Sequence, residues 1–272
     1  MTPAKGPPMP ANSSSPRYRH GEPCWADVQA RDVEAAKGFY GAVFGWRFED
    51  LPTPDGRSYA QAFLDDDLVA VIAPQNPHQE SLGTQAQWNI YFAADDARAL
   101  AEETIQAGGA VQFGPEDVAD TGVMVFVEPP GGGTTGVWQP GTHTGAGRYN
   151  EPGALSWTEL LTPEPQAAVG FFQQLFGHEV TEYPQDDGGT YTTLMVNGAE
   201  VAGIAAADGA ASWQIYFGVA DVAATVRKAV AAGAEVLIEP ETVEADDDEA
   251  EAAGATATLK DPQGGVFSLL EV

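Results

Sequence analysis

Apolar and polar residues alternate through Cys24-Trp25-Ala26-Asp27-Val28-Gln29-Ala30, the period of a strand that shows different chemistry to its two faces. The period then changes. After Asp32, a good helix cap, apolar positions fall at Val33, Ala36, Phe39, Tyr40, Val43 and Phe44, the spacing of one helical face. Gly45 predicts the stop, and strand-like runs follow around 46–48, 59–64 and 68–73. The plan recurs at once. WNIYFAA (from Trp88) reads as a strand, Asp95 and Asp96 cap ARALAEETIQ, Gly108-Gly109 end that helix, and strands follow near Val111 and over 122–127 and 135–139. The second half of the chain agrees, with Pro165 suited to a first helical turn and AAGAEV (from Ala231) closing a second helix. The predicted unit is β-α-β-β-β, four times over, an α+β architecture.

The two halves are a duplication. Trp25, Phe39, Phe44 and Gly45 reappear 132 positions later as Trp157, Phe171, Phe176 and Gly177, and Tyr59 and Tyr191 keep that offset. From WNIYF to WQIYF (Trp213) the offset is 125, and between the closing runs PPGGGTTGVW and DPQGGVFSLL it is 132 again. Module 1 therefore carries an insertion near NPHQESLGTQ and module 2 one of equal size near EADDDEAE, read as loop variation on one framework. The expected division is a Pro- and Ser-rich flexible tail over 1–20, module 1 over 21–140, a linker over 141–152 and module 2 over 153–272.

Hydrophobic content of 43% supports a packed core. Lys+Arg of 12 against Asp+Glu of 40 gives a net charge of −28, a field that opposes nucleic acid and anionic lipid and favours neutral or cationic ligands. The single cysteine, Cys24, excludes an internal disulfide and a multi-Cys zinc site. Residues 1–20 lack the apolar segment of a secretory signal, so a cytoplasmic location is expected. The duplication supplies its own pairing, and a monomer with an internal pseudo-twofold is the expected state.

Four such units, with FY or FF helices, an LFGH-type stop (Leu175 to His178) and a DPxG-type closing strand (Asp261 to Gly264), resemble the vicinal oxygen chelate superfamily of glyoxalases, extradiol dioxygenases and bleomycin-resistance proteins. Within it the chain is similar to bacterial tandem two-module glyoxalase-like proteins, often labelled hydroxylases, through Trp138-Gln139-Pro140-Gly141 and Asn150-Glu151-Pro152-Gly153. The resemblance implies two cup-shaped mixed sheets and, in metal-using members, a divalent ion held inside the cup by His, Gln or Glu. The positions it implies for those ligands fall here on Trp25, Asn89, Trp157, Gln214, Gly136 and Ser268, and the strands LVAVIA and EVAGIA offer no inward acid at the matching point. The histidines His20, His78, His143 and His178 match none of these places. No metal and no other cofactor is therefore expected.

Side chains two apart on a strand share a face. If Trp25 points into the cup, so do Asp27 and Gln29. Trp157 likewise brings Glu159, Asn89 brings Tyr91, Gln214 brings Tyr216, and Trp138 joins from the closing strand. Indole and phenol rings offer flat apolar faces with a donor at the rim, and a cation over one gains roughly 0.5–2 kcal/mol. Two readings follow. One is a metal-free protein binding an aromatic or cationic metabolite or antibiotic through Trp25, Gln29, Asn89, Trp138, Trp157 and Gln214. The other is a metal-independent lyase, isomerase or cyclase of secondary metabolism, with Asp27 or Glu159 as acid–base and Tyr91 or Tyr216 stabilising an oxyanion. A glyoxalase-type lyase or dioxygenase follows only from the resemblance.

Overall fold

The computed structural model describes residues 18–52, 56–185, 188–242 and 254–272. Most of the expected tail, and the acidic insert at 244–251, lie outside these residues. Module 1 runs β1 (Pro23–Ala30), α1 (Val33–Phe44), β2 (Arg47–Pro52), β3 (Ser58–Leu64), β4 (Asp67–Pro74), α2 (Pro77–Leu82), β5 (Gln87–Ala93), α3 (Ala97–Gln106), β6 (Ala110–Val118), β7 (Gly122–Glu128) and β8 (Thr135–Pro140). Module 2 runs β9 (Leu155–Thr162), α4 (Pro165–Phe176), β10 (Glu179–Pro184), β11 (Thr190–Val196), β12 (Ala199–Ala206), β13 (Ser212–Val219), α5 (Val222–Ala231), β14 (Glu235–Thr242), β15 (Ala255–Lys260) and β16 (Val266–Glu271).

Each module is one eight-stranded mixed sheet, ordered β2-β3-β4-β1-β5-β8-β7-β6 and β10-β11-β12-β9-β13-β16-β15-β14. At the centre of each, the first strand pairs antiparallel with the first strand of the other half-module, and each of these pairs in parallel with the strand that closes its own half. The helix starts follow the cap chemistry. The carboxylates of Asp32, Asp96 and Asp221 accept from backbone N–H groups of the first turn, while Glu164 makes no such bond and relies on Pro165 at the first helical position. Helix α2 occupies the module 1 insertion. Asn76 and Gln79 form a reciprocal capping box there, a local signal that the loop expectation passed over.

The helix-side faces of the two sheets bury each other. Ala26, Val28 and Ala30 of β1 enter one apolar core shared by both modules. The helices meet across the junction as α1 with α5 and α3 with α4, contacts that exchange with one another when the modules are swapped. The aromatic contacts obey the same pseudo-twofold. Phe44 lies 4.9 Å from Phe217 and Phe92 lies 5.7 Å from Phe176. Trp88 meets Tyr40 edge-on at 5.3 Å, and Trp213 meets Phe172 edge-on at 5.8 Å. Where the pairs differ, the polar atoms are still satisfied. The Trp88 indole donates to the Tyr40 hydroxyl, which donates to Asp261, whereas the Trp213 indole donates to Thr135 because Phe172 has no hydroxyl.

No helix among the described residues is long and apolar enough to cross a membrane. Because one core serves both modules, they are expected to unfold together. Phe217→Ala, which empties a fully buried ring site at the junction, should cost about 3–5 kcal/mol in a single transition when monitored by denaturant titration. Two separate transitions, with only one of them shifted, would contradict a shared core.

Candidate acid–phenol cups

With one face of each sheet committed to the shared core, the other face is left for a site. In cup 1, β1 presents Trp25, Asp27 and Gln29 to that face, β5 presents Asn89 and Tyr91, and β8 presents Gly136 and Trp138. Asp27 stands directly opposite Asn89, and Trp25 opposite Tyr91. Both Asp27 oxygens are engaged, Oδ1 accepting from the Asn89 amide at 2.7 Å and Oδ2 from the Tyr91 hydroxyl at 2.6 Å. Gly136 makes this possible, because a Cβ there would stand 2.3 Å from the Tyr91 ring. Gln29 accepts from Gln79, so the inserted helix α2 reaches the rim of this cup.

Cup 2 uses the same frame differently. Glu159 stands opposite Gln214, and Trp157 opposite Tyr216. Glu159 Oε1 accepts from the Tyr216 hydroxyl at 2.5 Å and Oε2 from the Tyr191 hydroxyl at 3.2 Å, while the Trp157 indole donates to Tyr191 at 3.2 Å. The Gln214 amide turns instead to Ser268, which also contacts Thr258. Glu200 lies on the same face, accepting from Tyr183 at 2.6 Å and Thr193 at 2.8 Å.

Burial dominates the electrostatics. It raises the Asp27 carboxyl above the usual range, against the lowering effect of the Tyr91 and Asn89 bonds. It raises the Glu159 carboxyl likewise, against Tyr216 and Tyr191. Tyr91, Tyr191 and Tyr216 are all pushed up, first by burial and then by the carboxylate each one faces. Their hydroxyls thus remain protonated donors.

The sequence expectation placed an indole, an acid, an amide and a phenol in each cup. All four occupy cup 1, with the acid, amide and phenol hydrogen-bonded. In cup 2 the amide is diverted and a second phenol replaces it. Three further residues complete the cups: Tyr191, Glu200 and His143. Tyr191 carried a signal, since it keeps the repeat offset with Tyr59. Glu200 corrects the expectation that EVAGIA offers no inward acid, because the bulge near Leu194–Met195 turns this first residue of the run to the cup face. His143 carried none, because it arrives from the linker. Its ring meets Trp25 edge-on at 4.4 Å and Trp138 at 5.5 Å, and the Trp138 indole donates to its carbonyl at 3.0 Å.

These residues do not fit the divalent ion that the resemblance implies. Indoles, amides, Gly136 and Ser268 stand at the ligand positions, and Val71 and Gly203 stand opposite the two acids. Among the described residues no three His, Cys, Asp or Glu side chains converge to hold a metal.

Burial lowers the His143 imidazole from 6.5 to about 4, and its Nε2 is buried without a partner among the described residues. Between those two values the unfolded chain binds a proton that the folded chain does not, so this group lowers stability as pH falls through the window. Asp27 and Glu159 act in the opposite sense, because their raised carboxyls keep protons in the fold that the unfolded chain has released. His143→Phe should remove only the first effect. Thermal melts should show the parent protein losing ground to the variant as pH falls from 6.5 to 4; parallel curves would contradict the burial of this imidazole.

Comparison with known proteins agrees with the fold and the duplication. The profile of the Glyoxalase/Bleomycin resistance protein/Dioxygenase superfamily matches residues 24–135, and that of the Glyoxalase-like domain matches residues 157–270. The chain is 38% identical over 267 residues to the Mycobacterium tuberculosis protein named "Putative glyoxylase CFP32", covering 97% of this chain and 98% of that one. It is 34% identical over 274 residues to the Anthracycline biosynthesis protein DnrV of Streptomyces peucetius, covering 94% and 95%. Among solved structures, the Mn(II)-bound glyoxalase from Novosphingobium aromaticivorans superposes with a TM-score of 0.65 at 17% identity, over 93% of this chain and 82% of that one. The catechol dioxygenase BphC does so with a TM-score of 0.63 at 14% identity, over 93% and 87%. Two successive modules, matched along nearly the whole chain, make this protein a member of the glyoxalase/bleomycin resistance/dioxygenase superfamily.

Proposed function

We propose that this protein binds a planar small molecule in a cup, against indole and phenol faces, with a buried carboxyl rather than a metal ion as the polar anchor. The observation that carries this reading is Glu159, held by the hydroxyls of Tyr216 and Tyr191 beside Trp157 on the face of the module 2 sheet turned away from the shared core. Sites that combine apolar aromatic walls with a few placed polar groups are the usual form of small-molecule sites. The relatives named for anthracycline biosynthesis support a planar polycyclic ligand, and the net charge of −28 favours one that is neutral or cationic. A chain that acts alone in the cytoplasm, its paired modules standing in for a dimer, fits the same reading.

A second reading has its own support. A carboxyl raised by burial and hydrogen-bonded to phenols holds its proton more readily than an exposed one and can act as an acid–base group, and a phenol beside it can hold an oxyanion. Lyase, isomerase or cyclase chemistry without a metal would use these groups. Glyoxalase or ring-cleaving dioxygenase chemistry is disfavoured by the donor set.

Binding is tested by titrating an anthracycline into the protein while following tryptophan fluorescence and heat. Saturable quenching is expected, and Glu159→Gln should weaken it about tenfold or more, the scale of one hydrogen bond to a charged group. No quenching and no heat, or an affinity that Trp157→Ala and Glu159→Gln both leave unchanged, would overturn the reading.

A further inference from the structure

The two cups descend from one repeat, yet only cup 2 couples its acid to two hydroxyls, and one residue accounts for the difference. Gly203 of β12 stands opposite Glu159 on one side and opposite Thr193 of β11 on the other. A Cβ at Gly203 would stand 2.1 Å from the Tyr191 hydroxyl oxygen, inside any permissible contact. Only glycine lets the Tyr191 ring cross β12 and reach the acid. The matching place in module 1, opposite Asp27, is Val71, whose side chain packs into the apolar cluster of cup 1. Tyr59, the repeat mate of Tyr191, is 40% exposed, whereas Tyr191 is 5% exposed.

Resting on the acid–base reading of cup 2, we propose that Gly203 makes this the working cup, by admitting Tyr191 to a Tyr191–Glu159–Tyr216 relay that moves a proton on a planar ketone or phenol. The chemistry follows from what each partner can do. An amide N–H only donates, whereas a phenol hydroxyl can donate or accept. Asp27 has one phenol, Tyr91, which is 4% exposed and lies under Gly136. Tyr91 could accept from a protonated Asp27 and free its own hydrogen, but a phenol buried this deeply offers a ligand little access. Glu159 has two phenols, and Tyr216 keeps part of its surface open.

In the step itself, a proton passes from an acidic O–H, or from a C–H next to a carbonyl, to the Glu159 carboxylate. The bonding pair stays on the ligand as a phenolate or enolate. Loss of the carboxylate charge weakens its hold on Tyr216, whose hydroxyl then donates to the ligand oxyanion. Return of the proton to another ligand atom completes an isomerisation, with no oxidant and no net change of charge. Glu159 and Tyr216 are the catalytic residues of this scheme, and Tyr191 is a positioning residue.

The relay is tested first without ligand, by carboxyl-carbon NMR titration of the intact protein. Tyr191→Phe removes a donor to the ionised acid, so the Glu159 midpoint should rise by roughly one pH unit, the scale of one charge-assisted bond. Gly203→Val should shift it the same way, and Tyr59→Phe should not shift it. A Glu159 midpoint unmoved in Tyr191→Phe overturns the relay even if Gly203→Val fails to fold. The chemistry is then tested with 2-tetralone in D2O. Deuterium uptake next to the carbonyl should exceed that in buffer, fall at least tenfold in Glu159→Gln, and persist in Tyr59→Phe. Uptake at the buffer rate overturns the inference; if anthracycline quenching persists alongside it, the binding reading stands.

Discussion

A strand can show its side chains to only two faces, and in this protein one of those faces is already taken. Ala26, Val28 and Ala30 on β1, with Trp88 and Phe92 or Trp213 and Phe217 on the partner strands, are committed to the core between the modules. Trp25, Asp27, Asn89 and Tyr91 must then face the cup, as must Trp157, Glu159, Gln214 and Tyr216. A slip of one residue would exchange the two sets at once. It would place two carboxyls in an apolar junction without donors, at a cost of several kcal/mol each. The aromatic junction therefore does more than join the modules. It fixes which residues are available for chemistry.

Within that frame the duplication has diverged by small steps with large chemical results. Valine at position 71 and glycine at position 203 face the same point of their cups. The first fills the wall, and the second opens it to a phenol from the next strand. Cup 1 meanwhile gains His143, whose ring stands against Trp25 and Trp138. Its linker is tied to the cup by backbone bonds from His143 to Thr121, Ala146 to Cys24 and Gly147 to Leu68. Cup 1 thus holds its acid with an amide and a phenol under a histidine-bearing linker. Cup 2 holds its acid with two phenols and an indole behind them.

Much of the frame was legible in the sequence, because it depends on short-range patterns. Alternation through Trp25 and Asp27, the cap at Asp32 and the repeat offsets name the strands, the helices and the inward residues without reference to distant parts of the chain. What was hidden depends on space. That Tyr191 reaches Glu159 requires knowing that β12 lies between them and that Gly203 presents no side chain there. That Glu200 faces inward requires a bulge, which no alternation rule supplies. His143 meets Trp25 across more than a hundred residues of chain. Helix α2 was legible in principle, since Asn76, Pro77 and Gln79 spell a capped start, but an insertion this short reads as a loop until its reciprocal bonds are seen.

The proposed function requires both cups to work without a divalent ion, their carboxyls clasped by phenols and, in cup 1, by an amide. Elemental analysis by mass spectrometry of the purified protein, never exposed to chelator, is the decisive test. First-row transition metals should be found well below one atom per chain, at the level of a protein with no such site. One manganese, iron, nickel or zinc atom per module, retained through gel filtration, would contradict it.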